Sequence, residues 1–298
     1  MKITITGSLG NISKPLTETL VKKGHSVTVI SSEPKRQEEI MALGAKAAIG
    51  SLEDVDFLTG AFTGADAVYS MVPPNNYFDH NLDLLAYYRR LGHNYAHAVQ
   101  QSGVKHLVNL SSIGAHMDKG NGILLGAHDV EKIIDELPSD VAITHIRPTS
   151  FYYNLYGYAE MIKSEGIIAA NYGAEDIIPW VSPIDIAASV AEELLAPPVG
   201  RKVRYVASEE VTGKETARII GKAIGKPDLE WLLITDEQTK NGLVAAGMNP
   251  TIAEGLVEMY AGLRNGLLAE DYYLNNPTFG EVKLEDFAKE FAQTFNQK

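Results

Sequence analysis

The amino-acid sequence predicts an α/β chain: a doubly wound parallel sheet with helices on both faces, followed by a smaller, mostly helical C-terminal lobe. Three observations carry that expectation. Strand-like and helical runs alternate through the first half, the first strand runs straight into a glycine-spaced turn and a helix, and helical periodicity dominates from about Val211. At 298 residues the chain suffices for two lobes around one cleft and falls short of three ordinary domains.

Residues 2–6 form the first strand and feed Gly7-Ser8-Leu9-Gly10-Asn11-Ile12-Ser13, after which a helix is expected over 12–23. Gly7 permits the tight turn out of the strand, and Gly10 lets the backbone approach a pyrophosphate with no side chain in the way. The helix that follows offers unpaired N–H groups and a positive dipole end. Ser13 stands at the third position of the glycine fingerprint, where close helix–strand packing requires a small residue. Strand, turn and helix in this order mark a Rossmann-type dinucleotide site, with Thr6, Gly7, Ser8, Leu9, Gly10, Asn11 and Ile12 as its phosphate loop.

Further strands are expected over 25–31, 47–49, 67–72, 106–111 and 141–146, the last ended by Arg147-Pro148. Strand 67–72 is apolar nearly throughout, as where helices cover both faces, and Pro73-Pro74 stops it. Its end, Met71, Val72 and Pro73, is expected beside the cofactor. An amphipathic helix spans 82–102 and closes at Gly103; later helices are expected over 214–224, 235–246, 250–265 and 284–296. Residues 1–150 read as the dinucleotide-binding domain and 151–298 as mainly a substrate-binding lobe, with about 180–206 returning to the first. No flexible linker separates them.

A carboxylate at the end of the second strand would bind a ribose 2′-OH, whereas basic residues there accept a 2′-phosphate. This chain reads Ser31-Ser32-Glu33-Pro34-Lys35-Arg36: two hydroxyls at the strand end, then two cations within reach of a phosphate. NADP(H) is therefore favoured over NAD(H). Two readings stay open beside it, a basic start to a surface helix and a Glu33 that turns inward to a ribose.

The net charge of −12 disfavours nucleic acid and anionic membrane surfaces and suits work on small molecules. Zero cysteines exclude disulfides, thiolate metal sites and a cysteine nucleophile. No apolar run approaches a membrane span and the N-terminus reads as a strand, so a cytoplasmic protein with no bound metal is expected, as monomer or homodimer.

With these pieces in place the chain resembles the NmrA-like branch of the atypical short-chain dehydrogenases/reductases, which includes NAD(P)H:quinone reductases, triphenylmethane reductase and NADPH-sensing regulators. The residues that carry the resemblance are Thr6 to Gly10, Gly64-Ala65-Asp66-Ala67-Val68-Tyr69, Ser111-Ser112, His128-Asp129-Val130-Glu131, Arg147-Pro148 with the aromatic run behind it, and Trp180 to Ala187. It implies a Rossmann-type nucleotide domain, a nicotinamide cofactor and a serine, Ser111 or Ser112, at the end of the fifth strand.

Short-chain dehydrogenases usually move a proton with a Tyr-x-x-x-Lys pair. None of the 14 tyrosines has a lysine four residues later, so that relay is excluded. If Glu131 matches the glutamate that commonly follows the lysine by four, the lysine position is Ala127 and the tyrosine position Ile123. If instead His128-x-x-x-Lys132 is the replacement, His128 takes the tyrosine's place. The spacing from Glu131 to Arg147-Pro148 fits the first register better. Ser112 and His128 are the candidate catalytic residues, His128 as a group that positions a carbonyl or donates a proton, or else as a locally bonded helix residue.

Aromatic residues crowd the segments expected beyond the carboxyl ends of the strands: Tyr77 and Phe78, then Phe151, Tyr152 and Tyr153, then Trp180. A flat apolar slot there suits a planar aromatic acceptor, with Asn75-Asn76 and Asn154 for its polar groups or for turns, while Asp185 reads as a helix cap. The leading expectation is an NADPH-dependent oxidoreductase acting on a quinone-like or other conjugated aromatic acceptor. A non-catalytic NADP(H)-binding sensor acting through a protein partner is the alternative, and an epimerase, which needs the absent tyrosine, ranks last.

Overall fold

The computed structural model describes residues 1–275 and 277–297. Its main sheet takes β1 (Lys2–Ile5), β2 (Ser26–Ser31), β3 (Lys46–Ile49), β4 (Ala67–Ser70), β5 (His106–Leu110) and β6 (Ala142–Pro148) from the first half of the chain. A seventh strand, β10 (Arg201–Val206), joins after the chain has visited the second lobe. The order is β10-β6-β5-β4-β1-β2-β3, and every pairing is parallel. Helices α1 (Ser13–Lys22), α2 (Gln37–Ala42), α3 (Val55–Phe62), α4 (Leu84–Ser102) and α5 (Leu125–Asp135) connect the strands. The strand order reverses between β1 and β4, where a doubly wound sheet opens its ligand crevice.

Apolar packing on both faces of this sheet accounts for its continuous hydrophobic strands. One face seats Ile3, Ile5, Val27, Val29 and Tyr69 against Leu16 and Leu20 of α1; the other seats Ile30, Val68 and Leu107 against α3, α4 and α5. Asp83 caps α4 by accepting from the Ala86 N–H, and Gly103 ends it at a left-handed φ of 76°.

β4 stops at Ser70, two residues before the expected end. The Met71 N–H donates to the Thr6 hydroxyl (3.0 Å) and its carbonyl accepts from Tyr95 (2.7 Å), so side chains replace the ladder there. β6 instead runs through Arg147 and Pro148, which were expected to end it. Proline is tolerated as the last strand residue because its carbonyl still accepts from Ile113 (2.9 Å) and its missing N–H falls beyond the β5 ladder.

The second lobe adds β7 (Ser150–Phe151), α6 (Ala159–Ser164), β8 (Ile167–Ala170), β9 (Ile177–Val181), β11 (Glu209–Thr212) and β12 (Glu230–Leu233). β7, β9 and β11 form one small sheet, β8 and β12 another. Between β9 and β10, α7 (Pro183–Leu195) returns to pack on α1. The last helices are α8 (Gly213–Ala223), α9 (Asp236–Ala245), α10 (Pro250–Arg264), α11 (Glu270–Leu274) and α12 (Leu284–Asn296). α8 and α12 close an aromatic core around Tyr152, Trp180, Trp231 and Phe291.

Asp185 does not cap its own helix; Ser182 does, accepting from Ile184 N–H. The Asp185 carboxylate, buried, accepts instead from Ser208 Oγ (2.5 Å) and from the N–H groups of Glu281 (3.1 Å) and Val282 (3.2 Å). It fastens the segment leading into α12. α10 meets the loop after β5 by backbone contact: Gly122 has φ 56°, and a Cβ there would overlap the Gly255 carbonyl. That approach sets Ile123 and Leu124 opposite Met259 and Tyr260 across a shared cavity.

Candidate functional site

A continuous cavity of about 550 Å³ runs from the β1–α1 turn into the space between the lobes. One part is a cradle of backbone and hydroxyls. Gly7, Ser8, Gly10, Asn11, Ile12 and Ser13 line it, with Ser31 and Ser32 from the end of β2. Gly7 sits at φ 86°, and a Cβ there would lie 2.6 Å from Ser13 Oγ and 3.1 Å from Met71 Sδ. Ser8 is held at φ 54°, with its hydroxyl donating to Ser31 Oγ (2.9 Å). A non-glycine residue in that region stores strain, which clusters at ligand sites. α1 has no side-chain cap and no acid in its first turn, so its dipole end and free N–H groups are left for an anion. Ser13, in the place of the third glycine, donates to the Thr6 carbonyl (2.9 Å), which is how serine fits the fingerprint here.

Thr6 and Leu9 lie behind this cradle and do not line it. Thr6 is fully buried, its hydroxyl spent on Met71, and Leu9 packs into the sheet core. Lys35 and Arg36 also fall outside the lining. Lys35 is exposed and Arg36 partly so, on a short 3-10 turn from Pro34 to Arg36, with Lys35 3.0 Å from Glu33 and Arg36 2.6 Å from Glu39. Glu33 itself points to Lys35, whose hydrogen bond and charge hold its carboxyl below the usual range.

The rest of the cavity is mainly apolar and aromatic. Met71, Val72, Pro73 and Pro74 follow β4; Ser111 and Ser112 follow β5; Phe151, Tyr153 and Asn154 follow β6 and β7. Tyr77, Trp180, Tyr88, Tyr172 and Tyr260 complete the aromatic wall. Trp180 lines it from a fully buried position, with its indole N–H donated to Thr216 (3.1 Å). Ser111 Oγ is buried with no hydrogen-bond partner among the described residues.

Two residues expected in the pocket are elsewhere. Tyr152 is fully buried in the second lobe's core, stacked on Phe287, and its hydroxyl donates to Glu209 (2.6 Å). The backbone leaves β7 at Phe151 and enters a 3-10 helix over Tyr152–Tyr158, whose buried face takes Tyr152 and Leu155 into the lobe's core, while Phe151 and Tyr153, rings 5.1 Å apart, line the cavity. Phe78 is 54% exposed, on a turn shaped by Asn76, which accepts from the Phe78 N–H (3.1 Å). Tyr88, Tyr172 and Tyr260 were missed because they come from remote elements; Tyr88 and Tyr95, one heptad apart on α4, were the legible signal of an inward face.

His128 lies outside the cavity lining. Its Nδ1 donates to the Ala115 carbonyl (2.9 Å), which fixes the tautomer and binds the ring locally. Ile123 and Ala127, by contrast, both line the cavity. Three positions on one side, Ile123 in the turn before α5 and Ala127 and Val130 within it, look into it, and Glu131 beside them pairs with Arg147 through two hydrogen bonds of 2.9 and 2.6 Å. The positions that would carry the tyrosine and lysine thus face the cavity with apolar side chains.

No group of His, Asp and Glu among the described residues could hold a metal ion, and no helix among them is long and apolar enough to cross a membrane. The chain is 27% identical over 261 residues, 87% of its length and 86% of the relative's, to an NAD(P)H azoreductase of Xenophilus azovorans. Its fold matches that of an NADPH-dependent quinone oxidoreductase, QOR2, of Escherichia coli, solved with NADPH. The TM-score is 0.80 at 19% identity, covering 97% of this chain and 99% of the other. The Citrobacter triphenylmethane reductase solved with NADP(H) matches with a TM-score of 0.78 at 18% identity, covering 98% and 100%. Sheet order, glycine turn and inward helix face all agree with the match of residues 1–266 to the NmrA-like family model: the chain belongs to the NmrA-like family.

Proposed function

We propose that the protein is an NADPH-dependent reductase that passes hydride to a quinone-like or other conjugated aromatic acceptor. The observation that carries this reading is the continuity of one cavity from an anion-ready glycine cradle to an aromatic chamber. The azoreductase and the two structural neighbours support the same class by their own names and bound cofactors.

The residues fit a dinucleotide. A Cβ at Gly7 would fill the turn, and uncapped α1 faces the site of a pyrophosphate. NADPH supplies a hydride when bound. Ser31 and Ser32 would contact the adenosine ribose, and Lys35 and Arg36 would leave Glu33 and Glu39 to meet a 2′-phosphate. Both pairs are exposed ion pairs that cost little to exchange. Lys35→Ala with Arg36→Ala is expected to weaken NADPH binding about tenfold or more while barely changing NADH. Parallel titrations of both cofactors check this, and equal loss for both would remove these residues from the phosphate site.

Phe151, Tyr153 and Tyr77 would hold a flat ring against the nicotinamide and exclude water from it. Addition of purified protein to NADPH with quinones, azo dyes or triarylmethane dyes should accelerate loss of nicotinamide absorbance. Tight NADPH binding with no turnover on any acceptor would instead support the sensor, a reading that the apolar Ile123 and Ala127 favour.

A further inference from the structure

Among the described residues, four cavity phenols, Tyr77, Tyr88, Tyr153 and Tyr260, make no hydrogen bond to protein, although the chain pairs the hydroxyls of Tyr87, Tyr95, Tyr152, Tyr205 and Tyr272. These four side chains are only partly buried and line the cavity, so their hydroxyls open onto space that a ligand can fill, with no protein group competing for them. One of the four has a distinct seat. The Tyr88 ring, from α4, lies on α5 at Gly126, where a Cβ would come within 2.7 Å of its Cγ. Gly126 falls between Ile123 and Ala127, the two cavity-facing positions that lack a tyrosine and a lysine.

We propose that the Tyr88 hydroxyl is the hydrogen-bond donor to the acceptor's reacting oxygen or nitrogen, a phenol supplied by α4 where the turn leading into α5 offers only Ile123. The proposal rests on the reductase reading and deepens it. Gly126 is the device that admits the ring: a glycine within α5 costs helix stability, and here it makes room for an aromatic face.

The chemistry balances without transfer of the phenol's proton. A quinone accepts a hydride, with cleavage of a nicotinamide C–H bond, and the electron pair ends on an acceptor oxygen. One proton from water completes the hydroquinone. Tyr88 donates a hydrogen bond to that oxygen as its charge grows and keeps its own proton throughout. Burial, with Tyr77, Tyr87 and Tyr153 close by, pushes its pKa above the usual phenol range, consistent with a donor that never ionises. A cationic triarylmethane dye behaves differently, because hydride addition to its central carbon yields the neutral product outright. It develops no oxyanion and needs no donor.

Tyr88→Phe therefore separates this role from packing, since the ring over Gly126 is kept. Expected are a fall in kcat of about tenfold to a hundredfold with a quinone and no more than a twofold change with a triarylmethane cation. Affinity of the cofactor-free protein for the quinone, read by calorimetry, should fall severalfold. Tyr153→Phe and Tyr260→Phe serve as comparators and should not show the selective loss. Equal loss on both acceptor types, no loss on either, or a selective loss at Tyr153 instead would overturn the assignment while leaving the reductase intact. A wild-type protein that reduces neither acceptor would overturn the reductase reading, and this proposal with it.

Discussion

A methyl group at Gly7 is expected to raise the dissociation constant for NADPH about thirtyfold or more while leaving a folded protein. Gly7 has φ 86°, a region that costs an L-residue about 1–2 kcal/mol. The new Cβ would also lie 2.6 Å from Ser13 Oγ, and that hydroxyl cannot move without breaking its bond to the Thr6 carbonyl. Met71 Sδ, 3.1 Å away, closes the other side. Relief can come only by displacing the turn, and the turn is the proposed phosphate cradle, so roughly 2–3 kcal/mol of strain and lost contacts appears as lost affinity. Gly24→Ala is the control. Gly24 has φ 83° but nothing within 4 Å of a Cβ, so it should lower the melting temperature and leave NADPH binding unchanged. A fluorescence titration with a thermal melt separates the two effects; unchanged affinity in Gly7→Ala would place the cofactor elsewhere.

The nucleotide half of this molecule was legible because its signals are local. Glycine spacing fixes a turn, an apolar run ended by Pro73-Pro74 fixes a buried strand, and period 3.6 fixes α4, so the residues of the cradle could be named from a dozen consecutive positions. The chamber was only half legible. Tyr77, Phe151 and Trp180 follow visible strand or loop ends, but Tyr88, Tyr172 and Tyr260 reach the cavity from elements far apart in sequence, and no local pattern pairs them. Tyr152 was misplaced because an aromatic run carries no statement of which ring faces which side, and here the backbone passes from strand to 3-10 helix between Phe151 and Tyr152. Asp185 shows the same limit: an acid in a first helical turn suggests a cap, yet its partners are Ser208 and two amides nearly a hundred residues on. Lys35 and Arg36 lie outside the cavity lining, in ion pairs with Glu33 and Glu39 that depend on side-chain geometry that spacing alone leaves open.

Arg147→Met should destabilise the fold by about 3–5 kcal/mol, because it strands a buried carboxylate. Arg147 is 7% exposed and holds Glu131 through two hydrogen bonds, with further bonds to the Tyr205 hydroxyl (3.1 Å) and Asp271 (3.0 Å). The group ties α5, the β6 strand, β10 and α11 together behind the cavity. Burial alone would raise the Glu131 pKa above its ordinary 4.5, but Arg147 and the nearby His145 outweigh it and hold the carboxyl lower. A carboxyl depressed in the folded state adds stability that is fully present above 4.5 and is lost as pH falls through the folded value. In Arg147→Met the sign reverses: Glu131 keeps only the burial penalty, its pKa rises, and protonation relieves the folded state. The gap between wild type and variant should therefore be widest at neutral pH and narrow on acidification below about pH 5. Urea unfolding at pH 7 and pH 4 measures both gaps. Glu131→Gln combined with Arg147→Met should recover much of the loss at pH 7, since the stranded charge is gone. An equal deficit at both pH values, with no recovery in the double variant, would show that Arg147 contributes packing rather than charge.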